Sequence, residues 1–226
     1  MQNIVLTGSS KGIGRYIYDK LSKSYNVIGI SRNPSKRTQF CCDISSSKEV
    51  EKVFKRIKKI DVLINNASVT DVSANQINNF DYTVKSNLNG TFYCCYYALK
   101  KLKKSKSPKI INISSINAHV GFPNNPGYVS SKGAVNSLTK SLAVDYGKFN
   151  IKVNSLSLGY ISAGMSKKSY SNLSKRIKRK KNTILNRWGK PEDVLEVIEF
   201  ILNSRNLYIT GSDLVIDGGW LAKGFK

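Results

Sequence analysis

The chain has 226 residues, 40% of them hydrophobic and 10% aromatic, enough for one α/β domain with a substantial core and unlike a disordered chain. Its formal net charge is +23, and no apolar run approaches the roughly 18 residues needed to cross a membrane. A membrane-spanning class is therefore excluded, and a polyanionic partner becomes one reading of the charge. The other is compositional, because Lys, Asn, Ile, Ser and Tyr are abundant together and share A/T-rich codons. The four cysteines form two adjacent pairs, Cys41-Cys42 and Cys94-Cys95, a spacing that suits neither zinc nor a disulfide. Reduced thiols, no signal-peptide pattern and a cytoplasmic setting are expected.

The first predicted strand is Asn3 to Leu6, followed at once by TGSSKGIG, Thr7 to Gly14. Glycines at Gly8, Gly12 and Gly14 let the backbone turn sharply and approach a pyrophosphate, and a helix opening near Gly12 aims its N–H groups at the same place. Ser10, Lys11 and Ile13 of this loop join the predicted cofactor contacts. The second strand is Val27 to Ile30, and Gln39 to Cys42 is a candidate third. Only Ser31 to Thr38 lies between them, too short for a crossover helix, so a loop or a vestigial strand is expected. The second strand ends without a carboxylate, which would bind the ribose hydroxyls of NAD and repel a 2′-phosphate. Ser31-Arg32, with Lys11, instead points to NADP(H).

Helical spacing covers Ser47 to Ile57, and a fourth strand, Asp61 to Ile64, delivers Asn65. A long helix is predicted from about Phe80 to Lys103, carrying Asn87 and an apolar face of Leu88, Phe92, Cys95 and Leu99. The fifth strand, Ile110 to Ile113, stops at Ser114 and Ser115, at the carboxyl edge where ligands bind in open α/β sheets. His119 follows in the loop and is expected to be a bystander.

The next helix, from about Tyr128 to Phe149, carries Tyr128 and Lys132 one turn apart, on one face. Moving a phenol from about 10 to 7 takes about 4 kcal/mol, at roughly 1.36 per unit. One ammonium ~4 Å away supplies about that much at an effective dielectric of ~20. A strand-end Ser facing this pair makes an acid/base device without histidine. A sixth strand, Ile151 to Leu156, leads into SLSLGYISAGM. Ten Lys and Arg follow between Lys167 and Lys190, with no Asp or Glu from Tyr160 to Pro191. The last strand is Asp213 to Ile216. No metal constellation is visible.

Taken together these motifs resemble the short-chain dehydrogenase/reductase family, most closely its 3-oxoacyl-acyl-carrier-protein reductases. Ser115 and Tyr128 are 13 residues apart, the family's common spacing. Asp43, with Ile44 beside it, resembles the family aspartate that meets the adenine. Asn65-Asn66-Ala67 resembles its NNAG with Ser68 in place of glycine, and RWGKPEDV and YITGSDLVIDGGW resemble its closing segments. The resemblance implies a single doubly wound, mostly parallel Rossmann-like sheet with helices on both faces and a substrate lid at about 160–190. It also implies a tetrad: Tyr128 as proton donor or base, Lys132 lowering its pKa and binding ribose, Ser115 on the substrate oxygen, and Asn87 holding a relay water.

By the same resemblance, Ala67, Gly159 and Ile161 contact the cofactor through backbone, and two long helices pair in a homodimer or homotetramer. Leu158 and Ala163 depart from the family's Pro and Thr. The expected function is NADP(H)-dependent interconversion of a carbonyl and a secondary alcohol, with a carrier-bound or small anionic substrate. A reductase of sugars or small ketones is the alternative, as is a low-turnover NADP-sensing or nucleic-acid-binding protein. Nucleic acid is the less favoured partner, since the basic lid has little aromatic interleaving.

Overall fold

A computed structural model describes residues 1–70, 77–203 and 208–223. Seven parallel strands form one sheet in the order β3-β2-β1-β4-β5-β6-β7. They are β1 Asn3–Thr7, β2 Asn26–Ser31, β3 Phe40–Cys41, β4 Val62–Asn65, β5 Lys109–Ser115, β6 Lys152–Leu158 and β7 Asp213–Ile216. Successive strand residues face opposite sides, so each strand feeds two cores. Val5, Leu63, Ile110 and Val153 pack against α2 (Ser47–Arg56), α4 (Gly90–Leu102) and α5 (Pro126–Gly147). Ile4, Leu6, Ile64, Ile111 and Leu156 pack on the other face, against α1 (Gly12–Leu21) and α8 (Pro191–Asn203). This double burial is why the strands read as continuous apolar runs rather than alternating ones.

The short link after β2 behaves as its length requires. β3 is only two residues long, and the loop before it lies flat against β2. Gln39 substitutes for the missing helix: its Oε1 accepts from Gly29 N at 2.6 Å and its Nε2 donates to Val27 O and to the Tyr18 hydroxyl. Gly29 is required there, because a Cβ would sit 1.8 Å from the Arg37 carbonyl oxygen.

The predicted helix from Phe80 is in fact three pieces. α3 (Ile77–Val84) runs into a π-helical turn, Lys85–Asn89, and then into α4. The apolar pattern passes through the π turn unbroken, so the sequence carries no mark of it. β5 and β6 also extend further than predicted. Ser114 and Ser115 remain paired, with Ser157 and Leu158, so the serines belong to the strand rather than follow it. The basic segment expected to be a lid forms a 3-10 turn, Gly164–Ser166, then α6 (Lys167–Ser171) and α7 (Leu173–Lys181).

Candidate active site

Strand order reverses between β1 and β4, and the crevice above that point takes ligands in open α/β sheets. The glycine loop fills one wall of it. Gly8 and Gly12 have φ of +72° and +62°, and a Cβ on Gly14 would lie 2.1 Å from the Gly8 carbonyl oxygen. Side chains are thus excluded where backbone N–H groups and the start of α1 face the cleft. Thr7, which sequence reasoning passed over, ties this wall to the next: its Oγ1 accepts from Asn66 N and Ala67 N at 3.1 and 3.0 Å. Ser10 Oγ accepts from Ser31 Oγ at 2.7 Å, and Lys11 is exposed at the N-cap of α1. These glycines and donors fit a dinucleotide. Ile13 lies in the first turn of α1, beside Gly164.

Not every predicted contact faces the cleft. The Asn65 side chain turns into the core, where Nδ2 donates to Asn112 Oδ1 at 2.9 Å and to Cys95 Sγ at 3.2 Å. Its Nδ2 is thereby committed to the core, while its buried Oδ1 has no partner among the described residues. Asp43 Oδ1 accepts from Ser45 N at 2.9 Å, and buried Ile44 packs on Gly90. Gly159 is demanded by Asp217, whose Cα would be 2.7 Å from an added Cβ. Ile161 is buried and bridges to Gly189.

Ser115, Tyr128, Lys132 and Asn87 converge at the carboxyl end of β5. Lys132 is buried on α5, and its Nζ donates to the Ile113 carbonyl at 2.8 Å and stands 5.6 Å from the centre of the Tyr128 ring. Burial lowers its pKa to about 8. Burial also raises that of Tyr128, and a hydrogen bond with Ser115 opposes the rise. The expected net lowering of the phenol by Lys132 is therefore not observed in the protein alone. Loss of water around the phenol outweighs the Ser115 hydrogen bond, and the Lys132 ammonium is turned to Ile113.

Asn87 lies in the π turn, and its side chain is fully engaged. Oδ1 accepts from Val69 N and Ser68 Oγ, at 2.8 and 3.1 Å. Nδ2 donates to Val69 O and Ser131 Oγ, at 2.9 and 3.0 Å. It has no side-chain atom left for the expected relay water; only its backbone carbonyl remains, and this also accepts from Thr91. Ser131 donates in turn to the Tyr128 carbonyl at 2.8 Å, so Asn87 fixes α5 against the loop after β4. Ser68, the departure from NNAG, supplies one of these bonds. Ser131 stands beside Lys132 and one turn from Tyr128, the only sequence signal it gave.

His119 lies exposed in the loop and has a side-chain partner. Its Nε2 lies 2.7 Å from Asp213 Oδ2 and ties the loop after Ser115 to β7. A cavity of about 310 Å³ between Tyr160, Arg187, Asp193 and Asp217 is lined by Ile161 but by none of the four converging residues. Among the described residues no three His, Cys, Asp or Glu side chains group as metal ligands, and no helix is long and apolar enough to cross a membrane.

Comparison with known proteins agrees with this geometry. A family profile described as Enoyl-(Acyl carrier protein) reductase matches residues 16–221. The chain is 31% identical to 3-oxoacyl-acyl-carrier-protein reductase FabG of Rickettsia bellii, over 97% of each protein. It is 30% identical to L-rhamnose 1-dehydrogenase (NADP(+)) of Thermoplasma acidophilum, over 97% of this chain and 96% of that one. The solved structure of 4-hydroxyisoleucine dehydrogenase complexed with NADH superposes with a TM-score of 0.91 at 30% identity, covering 98% of this chain and 99% of that one. The glycine loop, the Ser–Tyr–Lys convergence and these full-length likenesses have one reading: the chain is an oxidoreductase of the short-chain dehydrogenase/reductase family.

Proposed function

We propose that the protein is an NADP(H)-dependent reductase of carbonyl groups, acting on a 3-oxoacyl group held by an anionic carrier. The observation that carries the reading is the convergence at the carboxyl end of β5, where Ser115 and the Tyr128 phenol are hydrogen-bonded and the Lys132 ammonium lies against the Ile113 carbonyl. A protonated phenol beside Ser115 is a donor ready for an oxygen that is gaining negative charge. When bound, NADPH supplies the hydride that adds to the carbonyl carbon. Ser115 donates to the carbonyl oxygen and orients it. The Tyr128 O–H bond breaks as its proton passes to that oxygen, and the Lys132 ammonium stabilises the phenolate left behind. Asn87 acts as a positioning residue through Ser131 and the α5 backbone.

NADP(H) is favoured by the absence of a carboxylate at the end of β2 and by Lys11 and Arg32 in its place. Exposed Phe92, Tyr96 and Val144 on α4 and α5 support pairing of two copies through these helices, and free cysteines fit a cytoplasmic setting. Calorimetry with NADPH and NADH tests the cofactor: wild type should favour NADPH, and Arg32→Asp should relatively favour NADH. Equal or tighter NADH binding by the wild type would remove this part of the reading.

A further inference from the structure

Arg32 leaves β2 at the carboxyl edge of the sheet, and β2 is anchored there by the Ser31–Ser10 hydrogen bond. From this point the guanidinium donates to the phenol oxygen of Tyr82. Tyr82 lies on α3, which packs against α5, on the far side of β1 and β4 from β2. The bridge therefore crosses the cleft above β1, over the end where the glycine loop begins.

The other cations at this end are disposed differently. Arg37 is paired with Asp19, its Nη2 lying 2.9 Å from Oδ2, and its charge is neutralised. Lys11 is exposed on a flexible stem with no partner among the described residues. Arg32 keeps its full charge, because the group it touches is a neutral phenol rather than a carboxylate. A long guanidinium side chain loses rotamer freedom whenever it grips a ligand. Both side chains are exposed, and the bond to Tyr82 gives the guanidinium one defined partner without cancelling its charge.

We propose that Tyr82 is a positioning residue for the 2′-phosphate of the cofactor, holding Arg32 extended over the cleft before the ligand arrives. This rests on the NADP(H) reading and adds to it a residue that no motif marks. Preordering one long side chain is worth about three- to tenfold in affinity. The gain is confined to ligands bearing a 2′-phosphate.

The test is calorimetry at constant ionic strength with two fragments, adenosine 2′,5′-bisphosphate and adenosine 5′-monophosphate. It uses wild type, Tyr82→Phe, Arg32→Ala and the double variant. The phenylalanine keeps the ring, and thermal unfolding checks that the fold is retained. Tyr82→Phe is expected to weaken the bisphosphate about three- to tenfold and leave the monophosphate unchanged. In the Arg32→Ala background the same change should have no effect. An equal loss for both fragments, or no loss for either, overturns the role of Tyr82 while leaving NADP(H) preference intact. A wild type that binds both fragments equally, with Arg32→Ala silent, removes the NADP(H) reading itself.

Discussion

Lys132 makes two demands that pull against each other. The fold buries its ammonium, which lowers its pKa from an ordinary 10.5 to about 8, while the proposed chemistry needs it charged. Below about 8 it is charged and can stabilise a phenolate; as pH rises through 8 that help is lost. The kcat/KM for reduction is therefore expected to fall above about pH 8, read from a pH–rate profile of the free enzyme. Stability has the opposite sign. Between about 8 and 10.5 the unfolded chain binds more protons than the folded one, so this group adds stability as pH rises, by an amount of order 3 kcal/mol in all. Lys132→Met removes the group, so urea unfolding at pH 7 and pH 10 should show wild type gaining on the variant at the higher pH. An unchanged gap between the two would contradict a buried ammonium at this position. The sequence made Tyr128 and Lys132 legible through their spacing. It did not show that burial, rather than their mutual attraction, dominates, because the surroundings that remove water come from β5, the π turn and α5 together.

At the scale of elements, the link between β2 and β3 was legible by counting: too few residues were available for a helix, and no helix formed. What replaced it was not legible. Gln39 pairs with backbone groups at Gly29 and Val27, and nothing distinguishes it in sequence from any other glutamine. Gln39→Ala would leave a part-buried N–H and carbonyl unpaired, and should destabilise the protein by about 1–3 kcal/mol in denaturant titrations. A change under about 0.5 kcal/mol would mean that water replaces the side chain. The π turn escaped notice for a similar reason, since one extra residue in a helical turn leaves the apolar pattern readable as continuous helix. The basic segment around α6 and α7 shows a third case. Lys and Arg count alike in a charge sum, yet the structure separates them. Arg176 lies 5.4 Å from the centre of the Tyr170 ring, and Arg179 lies 4.4 Å from that of Tyr160, on the aromatic side that includes Trp188. Lys175, Lys178, Lys180 and Lys181 point to solvent. A weakly hydrated guanidinium tolerates an aromatic face, whereas an ammonium keeps its water.

For the whole molecule, that separation decides how the charge of +23 is to be probed. Exposed charges act chiefly on encounter rate and are screened beyond roughly 8 Å at physiological salt. With an acyl-carrier substrate kcat/KM should fall as salt rises, while a neutral ketone should show a much flatter dependence. Changing Lys175, Lys178, Lys180 and Lys181 to Ser should flatten the first curve only; Arg176 and Arg179 are left in place because they pack on Tyr170, Tyr160 and Trp188. Equal slopes for both substrates would make the lid charge a matter of composition. In the proposed NADPH-driven carbonyl reduction everything turns on Tyr128 delivering the proton. The most direct measurement is NADPH oxidation with a 3-oxoacyl thioester on an acyl carrier, wild type beside Tyr128→Phe, with NADPH affinity measured on both. The wild type is expected to turn over, and Tyr128→Phe to keep NADPH affinity within about twofold while turnover falls by roughly 10²-fold or more. Turnover undiminished in Tyr128→Phe would contradict that role.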